Sequence, residues 1–297
     1  MKAVLKIALA MIIWGSLGIV VRMVELPSIE ISFFRALITG IVLLAIRLKF
    51  IKGKLICSKK DLAILASSGA VLGLNWILLF NAYRYTTVAN ATVSYYIAPV
   101  IAVIIARLLL GERLSLRKKL SMVVSMLGLL TILLSSSQVE MSNTSHFSGI
   151  MFGASAALFY AIVMVVNKYV KNVSSIDKTL IQVLSATMVL LPVVVIRNNI
   201  EITNFNTVSL LLVIGIVHTC IPYLIYFSNI EKVSMANSAV LSYLDPFAAV
   251  LFGHVLLNEP LTNFHLLGGF LILVSIYLNV GERKSAKSKY NLQIDRD

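Results

Sequence analysis

Charge is scarce in this chain. Asp and Glu together number 13 in 297 residues, and all charged residues make up 13%. Hydrophobic residues make up 59%. A soluble fold of this length has too few polar groups to cover that much apolar surface. The composition therefore specifies one membrane domain, not two soluble ones. Cysteine is nearly absent: Cys57 falls in a loop and Cys220 inside an apolar run, so a disulfide framework is excluded. The four histidines and two cysteines show no metal-ligand spacing. No glycine-rich phosphate loop precedes a lysine, which argues against a nucleotide-driven pump. No serine, histidine and acid set with supporting context is present. No catalytic residue, metal or cofactor is assigned.

Ten apolar runs fill almost the whole chain. They cover 3–24, 31–46, 62–83, 88–110, 119–134, 149–170, 179–196, 208–229, 235–257 and 264–280. A helix needs about 20 apolar residues to cross a hydrocarbon core about 30 Å thick. The runs are continuous rather than alternating, which selects helices over a barrel. Runs two, five and ten are short and are expected to tilt less or to lie at the rim. The first run opens on Lys2 and Lys6 like a secretory signal. It continues to Val24 with no small-residue cleavage site, so it reads as a span.

The last five runs echo the first five. Residues 89–114 align with 236–261 without a gap, at a constant offset of 147 and with 11 identities in 26 positions. The matches include Asn90 with Asn237, Tyr96 with Tyr243, Pro99 with Pro246 and Glu112 with Glu259. Five is odd, so the second copy is expected upside down in the bilayer. Inverted repeats are an architecture of secondary transporters. The fold expectation is an all-α membrane protein of ten transmembrane helices built from two inverted five-helix repeats. The repeats cover 1–136 and 149–281, and a basic tail covers 282–297. Residues 135–148 and 198–206 read as outer loops; the first carries the sequon Asn143-Thr144-Ser145.

The net charge of +13 is sorted by loop. With ten crossings, 22 of the 26 basic residues fall on one side, and only Arg22, Arg84 and Arg197 fall on the other. The positive-inside rule then places both termini in the cytoplasm. The balance marks membrane topology, not nucleic-acid binding. The tail lies near anionic lipid.

Proline marks the candidate site. Pro99 and Pro246 sit at matching depths in runs four and nine, and each frees a carbonyl four residues back, at Tyr95 and Ser242. Pro222 likewise frees the carbonyl of His218. Such a group in hydrocarbon needs a partner or a wet space. Two readings fit the prolines: a pair of gating kinks, or the general enrichment of proline in membrane helices. Aromatic and amide residues gather nearby. Trp14 has Tyr160 as counterpart, and Trp76 has Tyr223. With Asn75, Tyr95, Tyr96 and Tyr243 they are the expected lining of a substrate cavity, against the plainer reading of a packed core. Tyr83, Tyr85 and Tyr169 belong to an interfacial belt.

Titratable groups within the spans are few. Asp245 lies near the middle of run nine, on a stripe with Ser238 and Ser242. His218 lies near the middle of run eight. Either they couple a proton to transport, or Asp245 is a locally bonded carboxylate that shapes the kink. Arg35, in run two, snorkels or pairs with Glu25 or Glu30; a structural role is favoured over the alternative of substrate binding. Glu112 and Glu259 are expected to accept from donors at the start of the helix that follows each, capped by Ser115 and Thr262. Gly15, Gly18, Gly69, Gly73, Gly268 and Gly269 allow close helix approach.

Trp14-Gly15-Ser16, Phe34-Arg35-Ala36 and the two Glu-x-Leu-Ser/Thr turns, set in two five-helix repeats with basic inner loops, resemble the EamA family of the drug/metabolite transporter superfamily. The resemblance implies ten helices, cytoplasmic termini and export or exchange of small metabolites, often amino acids. It also implies a central cavity lined by helices one, three, four, six, eight and nine. It does not supply a role for Asp245. The expected function is a secondary transporter in the cell membrane that exports amino acids or similar amphipathic solutes by alternating access. Its partners are a small-molecule substrate and the lipid bilayer. Metabolite uptake or exchange is the nearest alternative. A membrane-embedded lipid-modifying enzyme is the alternative from another class, and it would need convergent acid, base or metal groups.

Overall fold

A computed structural model describes residues 2–51, 57–86, 88–112, 114–134, 146–197, 204–258 and 261–294. Among them there is no strand. The helices are α1 (Lys2–Gly15), α2 (Leu17–Arg22), α3 (Ser28–Phe50), α4 (Lys59–Tyr85), α5 (Val88–Tyr95), α6 (Ala98–Leu110) and α7 (Leu116–Leu134). They continue as α8 (His146–Tyr169), α9 (Ser175–Arg197), α10 (Phe205–Gly215), a π-helical turn at Ile216–Cys220, and α11 (Ile221–Ile230). The last are α12 (Met235–Ser242), α13 (Leu244–Leu257) and α14 (Asn263–Ile294). The sequon and residues 135–145, 198–203 and 259–260 lie outside the described residues.

The packing is inside-out relative to a soluble protein. Lys178, Asn167, Thr179 and Ser238 are fully buried, while Leu48, Leu108 and Ile196 are 77–82% exposed. So many large apolar side chains turned outward, over polar groups turned inward, mark a surface solvated by hydrocarbon. Eight segments among the described residues are long and apolar enough to cross a membrane: Lys2–Val21, Ser28–Phe50, Lys59–Leu79, Ala91–Leu110, Phe147–Tyr169, Ser175–Arg197, Phe205–Ile230 and Met235–Leu256. The chain is a multi-pass membrane protein. Two further apolar helices differ from these for simple reasons. Helix α7 opens on Arg117, Lys118 and Lys119, and the apolar part of α14 is the shorter stretch Asn263–Asn279.

Several expectations are corrected. Run two is not short, because α3 has 23 residues. Helix α14 runs on past Gly281 to Ile294. Gly18 makes no close approach; a Cβ there would meet nothing within 4 Å. The other glycines do. A Cβ at Gly69 would strike the backbone of Gln182 on α9, and one at Gly15 would lie 2.6 Å from Cβ of Ala248 on α13. Gly128 and Gly268 place α7 against α14 at backbone contact.

The echo between residues 89–114 and 236–261 extends to backbone shape. Helix α5 ends at Tyr95 and α12 ends at Ser242, which are matched positions. Each is followed by a break and then by a second helix bearing the proline. Both second helices end on a left-handed residue, Gly111 at φ 67° and Asn258 at φ 54°, again matched. Glycine and asparagine are the residues that tolerate that conformation at a helix end.

Candidate functional site

The breaks in α5/α6 and α12/α13 meet at two tyrosines. The backbone N–H of Val100 turns back to the carbonyl of Ile97 at 3.0 Å instead of reaching that of Tyr96. The Tyr96 carbonyl is thereby released, and the hydroxyl of Tyr243 donates to it at 3.2 Å. The carbonyl so recruited is therefore one residue later than proline geometry alone indicates. In return, the hydroxyl of Tyr96 donates to Oδ2 of Asp245 at 2.8 Å. Asp245 lies in the first turn of α13, where the backbone dipole favours a carboxylate. The break also ends the expected stripe: the Ser238 hydroxyl pairs with that of Tyr226 at 2.8 Å, and the Ser242 hydroxyl donates to the Ser238 carbonyl.

The Pro222 expectation holds in detail. The freed carbonyl of His218 accepts from the indole N–H of Trp14 at 3.0 Å. The π-helical turn around it is closed by side chains. Thr39 on α3 donates to the Gly215 carbonyl at 2.7 Å, and Thr219 donates to that of Ile214 at 2.8 Å. Nε2 of His218 lies 3.0 Å from the Ser16 hydroxyl, and its Nδ1 faces the Val213 carbonyl at 3.4 Å. Single π-turns inside helices often mark functional positions. His218 and Asp245 thus have separate partners and are not hydrogen-bonded to each other.

The aromatic residues fall into two groups. Trp14 packs edge-on against Tyr223 with ring centres 5.6 Å apart, and lies 5.5 Å from Tyr226. Tyr95 stacks on Tyr160 at 5.9 Å and stands edge-on to Tyr96 at 5.8 Å. Tyr96 and Tyr243 lie 6.3 Å apart. Asn75 is fully buried; its amide donates to the Ala156 carbonyl at 2.6 Å, and its own oxygen has no partner. Asn75 therefore joins α4 to α8.

Trp76 is buried and carries the Arg35 guanidinium over its ring at 4.6 Å. The expected pairing of Arg35 with Glu30 does not occur. Both Glu30 oxygens are buried without a hydrogen-bond partner, while Nε of Arg35 donates to the Thr219 hydroxyl at 3.2 Å. Five residues along a helix turn a side chain about 140° away, so the two point apart. Tyr226, Phe227, Thr219 and Thr39 belong to the same assembly; nothing in the sequence marked the first three beyond lying near Pro222, and nothing marked Thr39.

At one end of the bundle the charges pair across elements. Lys168 on α8 bonds Glu112 and the Val233 carbonyl, and Glu112 also accepts from the backbone N–H of Met235 at 2.8 Å. Glu112 thus caps α12, the matched helix of the other half, not the following helix α7. Ser115 does cap α7, accepting from the Lys118 N–H at 3.3 Å. Lys178 on α9 pairs with Glu231, and Arg47 on α3 pairs with Asp177 at 2.7 Å. Among the described residues no group of three or more metal-ligating side chains occurs.

The comparisons with known proteins agree with this geometry. The profile of the EamA-like transporter family matches residues 1–134 and again 147–281. The chain belongs to the EamA-like transporter family. An uncharacterized transporter of Bacillus subtilis, YxxF, is 28% identical over 284 residues, covering 95% of this chain and 90% of its own. An uncharacterized transporter of Archaeoglobus fulgidus is 24% identical over 274 residues, covering 92% and 94%. One crystal structure shares the fold with a TM-score of 0.83 at 16% identity, over 93% of this chain and 97% of its own. Family and relatives together point to a membrane transporter rather than an enzyme.

Proposed function

We propose that this EamA-family chain is a secondary transporter that moves small organic metabolites across the cytoplasmic membrane by alternating access. Export of amino acids or similar amphipathic solutes is the favoured traffic. Ten helices form two inverted repeats, residues 1–136 and 149–281, with both termini in the cytoplasm. Trp14, Asn75, Trp76, Tyr95, Tyr96, Tyr160, Tyr223 and Tyr243 surround the substrate, and the breaks at Pro99 and Pro246 are the hinges.

The observation that carries this reading is the paired break. Two broken helices at an offset of 147 exchange hydrogen bonds through their own matched tyrosines. A hinge whose contacts come from its counterpart has two related arrangements available, which alternating access requires. The ion pairs of Lys168, Lys178 and Arg47 support a conformation closed at the cytoplasmic end. Asp245, with His218 as a second titratable group within the spans, is the group that couples a proton.

The test is flux into liposomes containing the purified full chain, against a metabolite panel, with and without a pH gradient. Saturable flux of an amphipathic solute is expected, with Ala at Trp14, Trp76 or Tyr243 lowering it. Flux untouched by all three substitutions removes the lining assignment. Transport that remains proton-coupled in Asp245→Asn removes the coupling role.

A further inference from the structure

We propose that Arg35 is the anchor for an anionic group of the transported solute, so that the substrate class is amphipathic carboxylates. This rests on the transporter reading above and adds to it a charge that the solute must carry.

Arg35 is 7% exposed, inside the span Ser28–Phe50. A guanidinium stays charged in any protein environment and carries five donors. Only Nε is used, on the neutral Thr219 hydroxyl. The two terminal nitrogens make no hydrogen bond among the described residues. No carboxylate among them lies within ion-pairing distance. Glu30, five residues away on the same helix, keeps both oxygens unpartnered. The Trp76 face offsets only part of the desolvation that a buried ion suffers. Arg35 is therefore held in place from behind while its fork stays unoccupied.

The surroundings are those of a binding site. Thr219 on the π-helical turn fixes one edge of the guanidinium, and Trp76 on α4 fixes its plane. The hydroxyls of Tyr223, Tyr95 and Tyr160 lie within electrostatic reach of its charge. Five elements besides α3 thus converge on one cation. A planar fork matches a carboxylate through two parallel bonds, and the tyrosine and tryptophan rings suit an apolar body behind it. An intramembrane cation with no protein counter-ion is expected to face a substrate path.

The chain has two tryptophans, Trp14 and Trp76, and both belong to this assembly. Intrinsic fluorescence of the purified full chain therefore reads occupancy without a label. The probes are 3-phenylpropionate and its neutral amide, then phenylalanine and phenylalaninamide. The carboxylates are expected to give a saturable change at concentrations about tenfold or more below the amides. Arg35→Met should abolish that preference, and Arg35→Lys should keep part of it. Equal responses to acid and amide overturn the assignment, as does carboxylate binding unchanged in Arg35→Met. If Arg35→Met does not fold, the acid–amide comparison on the native chain and on Arg35→Lys still decides. Liposome flux separates the two readings. Transport of amides and acids alike removes the anion site and leaves a transporter. A carboxylate-selective fluorescence change without flux of any solute keeps the anion site and removes transport.

Discussion

Tyr96 and Tyr243 stand 147 residues apart and bond in opposite senses: Tyr243 donates to the Tyr96 carbonyl, and Tyr96 donates to the carboxylate two residues after Tyr243. One hydroxyl thus fills a gap left by a broken helix, and the other fixes the carboxylate that opens the opposing half-helix. Tyr96→Phe removes only the second bond. It is expected to lower the stability of the detergent-solubilised protein by about 1.5–3 kcal/mol, the range for a bond to a charged group. Asp245→Asn keeps an acceptor for Tyr96 and should cost less. Thermal unfolding of the two variants side by side checks the order.

The Trp14 indole stands in for the backbone donor that Pro222 lacks. Trp14→Phe leaves the His218 carbonyl buried and unpartnered, at a cost of about 1–3 kcal/mol. Pro222→Ala restores a backbone N–H one helical turn on. The double variant should therefore lose less than the sum of the two singles, and a double-mutant cycle on thermal stability reads the coupling.

Glycine substitutions separate packing from propensity. Gly69→Val places branched carbons against the Gln182 backbone, so α4 and α9 must separate. Its monodisperse yield in detergent should fall steeply. Gly18→Ala meets nothing and sits inside α2, so yield and melting temperature should match or slightly exceed the native chain.

Glu112→Gln weakens the Lys168 bridge while keeping an acceptor for the Met235 N–H. The end of the bundle that holds this bridge should open more often. Cys220 is 2% exposed, so in a Cys57→Ser background a maleimide applied from the side that bears the bridge reads that opening. Faster labelling in Glu112→Gln is expected. An unchanged rate contradicts a closing role for the bridge.

The sequence exposed what local chemistry dictates. Proline must release a carbonyl, so the breaks near Pro99 and Pro246 and the orphan at His218 could be read from spacing. What assembles only in three dimensions could not. The carbonyls at and just before the π-helical turn accept from Thr39 and Trp14, which come from other helices. Arg35 looked like a partner for Glu30 until the helix turned them apart. Lys168 and Lys178 read as topogenic loop charges, yet both are buried and paired with residues far along the chain. Glu112 looked like a cap for its own neighbour, and its Oε2 serves the matched helix instead.

Counterflow tests the account most directly. Liposomes bearing the purified chain are loaded with an unlabelled amino acid, diluted, and offered a trace of the same labelled solute. Alternating access predicts a transient internal accumulation of label above the outside concentration for at least one amphipathic amino acid, and its loss in Tyr243→Ala. Simple equilibration without overshoot for every solute in the panel would contradict it.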